Sequence, residues 1–185
     1  MRAFIAVEID PAIKAAMADL QRRLRRLGSA AVSWTRESGL HLTLKFLGEI
    51  EESQAAGLRE PLAGIAAATA SFPLLVRGTG TFPPGRPPRV LWVGLEAPSD
   101  LAVLQSRIER AAEDAGIPRE ERPFHPHLTL GRVKANGGLH PLLAELERSG
   151  RAEFGRMTVR SVVLFQSDLK PSGAEYTRLG IFEFR

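Results

Sequence analysis

The chain has 185 residues, of which 44% are hydrophobic, and this length and composition predict one packed globular domain. The sequence contains no run of about 18 apolar residues, so no membrane-spanning helix is expected, and the absence of cysteine excludes disulfides and cysteine-bound metal. The net charge of +4 comes mainly from arginine, which either reflects a coding bias or helps to attract RNA.

The first half of the chain alternates strands and helices. It begins with a strand that turns acidic at Glu8, too early for a signal peptide, and this start and the lack of cysteine predict a cytoplasmic protein. Pro11 opens a helix and Gly28 ends it, because proline is tolerated in the first turn of a helix and glycine after the last. The string His-Leu-Thr-Leu, from His41 to Leu44, lies on the next strand. The predicted elements are strand 4–9, helix 13–27, the motif strand, helix 53–68 and strand 72–79.

The second half repeats this order. His-Leu-Thr-Leu recurs from His127 to Leu130, Pro98 again precedes a helix, and Gly116 again follows it. The predicted elements are strand 90–95, helix 101–115, the motif strand, helix 139–148, strand 154–165 and a final strand near 176–184. A segment rich in proline and glycine, residues 83–88, separates the halves as a linker.

This repeat predicts the fold. Each half has the order β-α-β-α-β with its motif on the middle strand. We therefore predict an α+β protein with two pseudo-twofold-related lobes, each an antiparallel sheet with two helices, enclosing a central cleft. The repeat halves cover about residues 1–82 and 89–185 of a single bilobal domain, although terminal strands often cross between lobes. The cleft would carry one histidine from each half.

Both motifs place the same polar side chains on one face of a strand. Successive side chains of a strand point to opposite faces, so histidine and threonine share one face and the two leucines share the other. The leucine faces are expected to enter the core. His41 with Thr43, and His127 with Thr129, would then supply a general base, a general acid and two hydroxyl donors. Such a set is suited to moving protons around a phosphate.

The residues that follow each motif extend this candidate site. Strict alternation sends Arg132 to the leucine face, but Gly131 permits a bulge that turns the arginine toward the cleft, where it would bind phosphate. In the first copy, Lys45 shares the face of His41 and could add positive charge. Phe46 is expected to pack in the interior.

A metal site is the alternative reading of the histidines. His125 alternates onto the face of His127, so these two and His41 could together hold a zinc ion. However, the repeat gives His125 no counterpart and no acidic residue stands at a motif position, so a site without metal is favoured. His140 precedes a proline at a helix start and is expected to take no part in the site.

The ordered motifs resemble those of a known family. The chain is similar to the two-histidine phosphoesterases, in particular the bacterial and archaeal RNA 2′,3′-cyclic phosphodiesterases, historically called 2′-5′ RNA ligases. The hallmark of that family is a pair of His-x-Thr/Ser-x motifs, and flanking segments match as well. The matching segments are 2–7, 41–48, 89–94, 123–132, 164–167 and 171–176. Relatives often carry a proline before the first motif, where this chain has Arg36-Glu37-Ser38.

The resemblance implies hydrolysis of RNA or nucleotides that end in a 2′,3′-cyclic phosphate, leaving a 2′-phosphate, with no metal or other cofactor. By similarity, His127 is the proton acceptor that activates water and His41 is the proton donor to the departing 3′ oxygen. Thr43, Thr129 and Arg132 would neutralise charge on the non-bridging phosphate oxygens. The expected partners are RNA ends or nucleotides with cyclic phosphate, and neither a membrane nor an obligate protein partner is expected.

Three other functions are compatible with the same residues. One is reversible 2′-5′ joining of RNA, another is a module that binds RNA ends without turnover, and the third is a metal hydrolase built on three histidines. Turnover of a cyclic nucleotide distinguishes an enzyme from a binding module, and sensitivity to a chelator identifies a metal hydrolase.

Overall fold

The fold is that of a computed structural model, which describes residues 1–28, 31–84 and 87–185. Its elements in chain order are β1 (Arg2–Glu8), α1 (Pro11–Arg25), β2 (Val32–Trp34), a 3₁₀ helix (Glu37–Gly39), β3 (His41–Glu49), α2 (Glu52–Ala67), β4 (Phe72–Phe82), β5 (Val90–Glu96), α3 (Ser99–Asp114), β6 (His127–Val133), α4 (His140–Arg148), β7 (Glu153–Val159), β8 (Ser161–Lys170) and β9 (Gly173–Glu183). The two His-Leu-Thr-Leu motifs therefore begin β3 and β6.

Two antiparallel sheets form the frame of the molecule. Sheet 1 has the strand order β3-β1-β8-β9, and sheet 2 has the order β2-β6-β5-β4-β7. Helices α2 and α3 pack on sheet 1, whereas α1 and α4 pack on sheet 2. The prediction of an α+β fold with two lobes, each an antiparallel sheet with two helices, is confirmed.

Each half of the chain contributes to both sheets. Helix α1 follows β1 of sheet 1 but packs against β7 of sheet 2, and α3 follows β5 of sheet 2 but packs against β3 of sheet 1. The last strands, β8 and β9, return the chain to sheet 1. We call α1 and α3 the crossing helices, because each follows a strand of one sheet and packs on the other. Both sheets contribute to one hydrophobic core.

The crossing helices are amphipathic. Helix α1 buries apolar side chains three or four positions apart, which is the spacing of one helical face. Each fully buried leucine contributes about 1.5–3 kcal/mol of hydrophobic stabilisation, so these faces determine where the helices pack. Helix α3 stops before Gly116, whose φ of +78° is a left-handed conformation that glycine adopts without strain. Within the described ranges, no helix is both long and apolar enough to cross a membrane.

Several strands differ from the predicted ones. The strand predicted over 154–165 is two strands, β7 and β8, which lie in different sheets on either side of Arg160. The prediction was wrong because buried apolar residues continue on both sides of the break, as they would in one strand. Strand β2 was not predicted, since three residues are too few for a periodicity. The predicted linker 83–88 follows β4, and its residues 85 and 86 lie outside the described residues.

Candidate active site

The two motif strands lie next to each other in the middle of the molecule. β3 is the edge strand of sheet 1, β6 is the second strand of sheet 2, and the two strands are in contact. Their histidines and threonines are half-buried, while the first and second leucines of each motif are fully or almost fully buried. The alternation expected from the sequence therefore holds through both motifs.

Both motif strands contain a β-bulge at the fourth residue of the motif. In the pairing of β3 with β1, Leu44 has no partner between two paired neighbours, and in the pairing of β6 with β5, Leu130 is skipped in the same way. A bulge adds one residue and inverts the alternation beyond it. The fourth and fifth residues of each run are therefore both buried, and the sixth returns to the histidine face. This sixth residue is Phe46 in the first copy and Arg132 in the second.

A glutamine from a crossing helix supports each bulge. Gln21 of α1 donates to the carbonyl of Leu130 at 2.9 Å and to the carbonyl of Thr35 at 2.8 Å. Gln105 of α3 donates to the carbonyl of Leu44 at 3.4 Å. The helix of one half thus binds the bulge of the other. Neither glutamine was predicted from the sequence, although Gln21 interrupts the apolar stripe of its helix. It is only 5% exposed, and a buried polar side chain needs a hydrogen-bond partner.

His41 lies in an aromatic cluster on the cleft face of sheet 1. Its ring stacks on Phe4, with ring centroids 4.8 Å apart, and on Phe165, at 5.5 Å, and it meets the edge of Tyr176 at 5.2 Å. Burial, with a smaller contribution from the positive charge of Lys14, lowers the pKa of the His41 imidazole from 6.5 to about 4. His41 is therefore neutral at pH 7 when no ligand is bound.

His127 has a fixed tautomer. Its Nδ1 lies 2.6 Å from the backbone carbonyl oxygen of His125. Because a carbonyl oxygen can only accept, Nδ1 carries the proton and the lone pair of the neutral ring is on Nε2. The ring also meets the edge of Phe82, at 5.0 Å between centroids. Burial lowers the pKa of His127, and the charges of Arg132 and His125 lower it further, while the bond to the His125 carbonyl partly opposes them.

The other predicted site residues lie on the same faces as the histidines. Thr43 and Thr129 are each two residues beyond a histidine and are half-buried. Arg132 is exposed and close enough to His127 to affect its pKa. In the part of the chain that the structure describes, none of these three side chains donates to a protein acceptor or forms an ion pair.

Lys45 does not belong to this site, and the expectation that it shares the face of His41 is wrong. The bulge turns it to the opposite face, where it is 4% exposed and forms a buried ion pair with Glu109 of α3. Lys45 also donates to the carbonyl of Pro118 at 2.8 Å, and Glu109 accepts from the backbone N–H of Glu120 at 2.8 Å. The pair thus connects β3 with the segment that leads to β6.

Phe46 is also placed differently from the prediction. The same bulge turns its ring outward, and the side chain is 62% exposed instead of packed in the interior. The predicted faces of Lys45 and Phe46 were wrong for the same reason. The prediction assumed strict alternation along β3, whereas β3 has a bulge that no glycine indicates. In the second copy Gly131 indicated the bulge, and Arg132 lies on the same face of β6 as His127, where it is exposed.

The three histidines of the metal alternative do not converge. Within residues 1–28, 31–84 and 87–185, no three histidine, aspartate or glutamate side chains are grouped as metal ligands would be. His125 contributes its backbone carbonyl to His127, and its ring lies 6.3 Å from that of Phe82, between centroids. His140 is exposed at the start of α4, the helix that follows β6, and belongs to neither motif strand.

Comparison with known proteins connects this geometry to a family. A model of the 2′-5′ RNA ligase superfamily matches residues 9–171. Proteins named RNA 2′,3′-cyclic phosphodiesterase are 34% identical in Methanothermobacter thermautotrophicus, over 98% of each chain, and 34% identical in Archaeoglobus fulgidus, over 99% of this chain and 100% of the relative.

Solved structures have the same fold over almost the whole chain. The crystal structure of TT0787 from Thermus thermophilus superposes with a TM-score of 0.84 at 32% identity, covering 100% of this chain and 98% of the other. Escherichia coli LigT in complex with 3′-AMP superposes with a TM-score of 0.80 at 25% identity, covering 99% and 97%. The family model, the relatives and the structures agree, and the chain belongs to the 2′-5′ RNA ligase superfamily.

Proposed function

We propose that this protein is an RNA 2′,3′-cyclic phosphodiesterase, which hydrolyses 2′,3′-cyclic phosphate ends of RNA or nucleotides to 2′-phosphate ends. The observation that carries the proposal is the presence of a His/Thr pair on each of two neighbouring strands from different sheets, with Arg132 beside them. Relatives matched over nearly the whole chain have this name. The proposal includes a cytoplasmic location, which the cysteine-free sequence supports.

In the proposed mechanism, His127 and His41 act on opposite sides of the phosphorus. In-line attack requires the base near the incoming water and the acid near the leaving oxygen. The Nε2 lone pair of His127 takes a proton from the water as its oxygen bonds to phosphorus. The bond from phosphorus to the 3′ oxygen breaks, and His41 gives its proton to that oxygen. The product is a 2′-phosphate with a free 3′ hydroxyl, and the two histidines return to their starting states through solvent.

The remaining site residues stabilise charge on the phosphate. Two non-bridging oxygens become more negative as water attacks, and hydroxyl or guanidinium donors placed in advance stabilise that charge without reorganising. Thr43 and Thr129 supply one hydroxyl from each sheet, and Arg132 supplies a positive charge. Their lack of protein acceptors among the described residues leaves these donors available to a ligand.

The lowered pKa values of the histidines imply that the bound substrate itself promotes protonation of His41. Before the substrate binds, burial keeps the pKa of both imidazoles below its usual value, so both rings are neutral at pH 7. A bound phosphate diester brings a negative charge between them, and a nearby negative charge favours the protonated imidazole. The proton that His41 donates is therefore taken up when the substrate binds.

This linkage predicts two different pH profiles. The profile of kcat/KM reports the pKa values of the ligand-free enzyme and should be a bell whose acid limb is near pH 4 and whose alkaline limb falls below pH 6.5. The profile of kcat reports the complex and should lie at higher pH, because the phosphate raises both pKa values. Rates with a 2′,3′-cyclic nucleotide measured from about pH 3 to 9 test this. If the two profiles coincide, or if the alkaline limb of kcat/KM lies above pH 6.5, substrate binding does not raise the pKa values of the histidines as proposed.

Arg132→Ala should lower kcat/KM about 10- to 100-fold, the usual cost of one charge-assisted hydrogen bond. Arg132→Lys should recover only part of the loss, because an ammonium is a point charge and cannot bind two phosphate oxygens in one plane. The matched control is Arg156→Ala, which removes an exposed arginine from β7, at the edge of sheet 2 remote from β6. If the Arg132 and Arg156 variants behave alike, Arg132 is not a phosphate ligand.

The function itself is tested with the purified protein, 2′,3′-cyclic AMP and an excess of chelator. We expect turnover, with 2′-AMP as the product identified by ³¹P NMR. Absence of turnover would leave a binding module as the function. Loss of turnover in chelator that added zinc restores would show that a metal takes part, and 3′-AMP as the product would show that the other ester bond is broken.

A further inference from the structure

Gln21 is a buried polar residue of α1 to which the proposed mechanism assigns no role. The other buried residues of α1 are all apolar. A leucine or a methionine at this position would fill a similar space and would need no hydrogen-bond partner, whereas a buried amide costs free energy unless it is paired. The amide of Gln21 therefore has a cost that its two hydrogen bonds must offset.

The side chain of Gln21 joins two backbone segments beside the second motif. Its Nε2 donates to the carbonyl of Thr35, directly after β2, and to the carbonyl of Leu130, at the bulge of β6. The carbonyl of Leu130 also accepts from the backbone N–H of Thr35 at 2.9 Å. Because a bulged residue is left out of the regular ladder, these hydrogen bonds fix the position of a carbonyl that the ladder between β6 and β5 does not hold.

Strand β2 packs closely against the same bulge. It is a three-residue strand at the edge of sheet 2, and its Ser33 pairs with Arg132. A Cβ added to Gly131 would lie 2.7 Å from Cγ1 of Val32, so the backbone of the bulge leaves no room for a side chain on this side. Gln21 thus holds β2 and β6 together at the place where Arg132 leaves the backbone.

The direction of the Arg132 side chain depends on this bulge. The bulge inverts the alternation of β6, and for that reason Arg132 lies on the face of His127 and not on the leucine face. A shift of one residue in the pairing of a strand turns every following side chain to the other face. A contact that fixes the bulge therefore also fixes the face on which the guanidinium lies.

We propose that Gln21 is a positioning residue for phosphate binding, which fixes the bulge of β6 and thereby directs Arg132 toward the phosphate oxygens. This inference rests on the proposed function and adds a residue of the first half that controls a phosphate ligand of the second. Gln21 is buried and acts through Arg132, not on the substrate. Displacement of a binding group by about 1 Å is enough to lower a rate substantially.

The test is a double-mutant cycle on kcat/KM for a 2′,3′-cyclic nucleotide. Gln21→Met keeps a side chain of similar volume but removes both hydrogen bonds, and it should lower kcat/KM about 3- to 30-fold. In an Arg132→Ala background the same substitution should change kcat/KM less than about twofold, because the group that Gln21 positions is absent. An equal loss in both backgrounds would overturn the proposal, as would an unchanged kcat/KM in Gln21→Met alone.

Binding of inorganic phosphate, measured by calorimetry on the same four proteins, tests Gln21 without turnover. Gln21→Met should weaken phosphate binding when Arg132 is present and should have little further effect when it is absent. If this pattern holds but the wild type does not turn over a cyclic nucleotide, the proposed function is wrong and the positioning role stands. If the wild type turns over and the pattern is absent, the positioning role is wrong.

A second variant, Gln21→Glu, keeps the shape of the side chain but changes its hydrogen bonding. An ionised carboxylate can only accept, whereas a protonated carboxyl can donate to one of the two carbonyls. Burial raises the pKa of a carboxyl at such a position. The ratio of kcat/KM in this variant to that of the wild type should therefore increase as the pH falls from about 9 to 5. A ratio that does not change with pH would contradict the role of the amide as a donor.

The matched control is Thr69→Val, which removes a buried hydroxyl that donates to the carbonyl of Ile65 at 2.7 Å, after the end of α2. It should lower the midpoint of thermal unfolding without changing kcat/KM. If it lowers kcat/KM as much as Gln21→Met does, the loss in the glutamine variant reflects stability and the proposal is overturned. If neither Gln21 variant folds, Gln21 has a structural role alone, and the proposal is again wrong.

Discussion

Replacing His41 or His127 by alanine should lower kcat for a 2′,3′-cyclic nucleotide about 10²–10⁴-fold, the usual span for a lost general acid or base. Both variants should remain folded, because the imidazoles are half-buried on the cleft face while the leucines of each motif hold the core. The double variant should be little worse than either single one, since the two groups act in one proton-transfer sequence. Steady-state kinetics and circular dichroism on the same samples measure both properties.

The control for these variants is His140→Ala, which removes an exposed histidine at the start of α4 and should retain normal turnover. If either motif variant turns over at a near-normal rate, that histidine is not the acid or base. Alanine at position 41 also removes a ring from the stack with Phe4 and Phe165. Should that variant unfold, His41→Phe keeps an aromatic ring in place and must still be inactive if the imidazole is the acid.

Lys45→Met should lower the free energy of unfolding by about 3–5 kcal/mol, because it leaves the buried Glu109 carboxylate without its opposite charge. The substitution should also disturb the candidate site, because the ion pair holds Pro118 and Glu120 in the segment before β6. Urea denaturation of wild type and variant measures the difference.

A second substitution separates charge from packing at the same place. Lys45→Met combined with Glu109→Gln removes both charges but keeps an amide oxygen that can accept from the Glu120 N–H. It should be more stable than Lys45→Met alone. A loss below about 0.5 kcal/mol in the single variant, the scatter of surface substitutions, would mean that Lys45 reaches solvent. A double variant less stable than the single one would show that the ion pair is not the cause.

Most of the fold could be predicted from the sequence because its signals are local. Proline at the helix starts, glycine after the helix ends and the doubled motif give the order of elements, and the repeat gives two similar sheets. The exchange of helices between the sheets depends on which apolar faces meet, and that information is spread over residues far apart in the chain. The break at Arg160 could not be predicted, since buried apolar residues lie on both sides of it.

In the candidate site, too, the features that depend on neighbouring residues were predicted, and those that depend on residues far away in the sequence were not. Period-two alternation placed His41 and His127 correctly on the half-buried faces, and Gly131 correctly indicated that Arg132 turns outward. The identical bulge at Leu44 carries no such residue, so Lys45 and Phe46 were assigned to the wrong faces. Glutamines on helices of the opposite half support these bulges, and no pattern within a strand reveals a partner so far away in sequence.

In the proposed mechanism both motifs act on a single phosphate. The most direct test is a crystal structure of the protein with inorganic phosphate bound. The two-motif mechanism predicts one anion in contact with Nε2 of both imidazoles, with the hydroxyls of Thr43 and Thr129 and the guanidinium of Arg132 on its oxygens. An anion held by one motif alone, or an Arg132 side chain directed away from an anion that another cation binds, would contradict it.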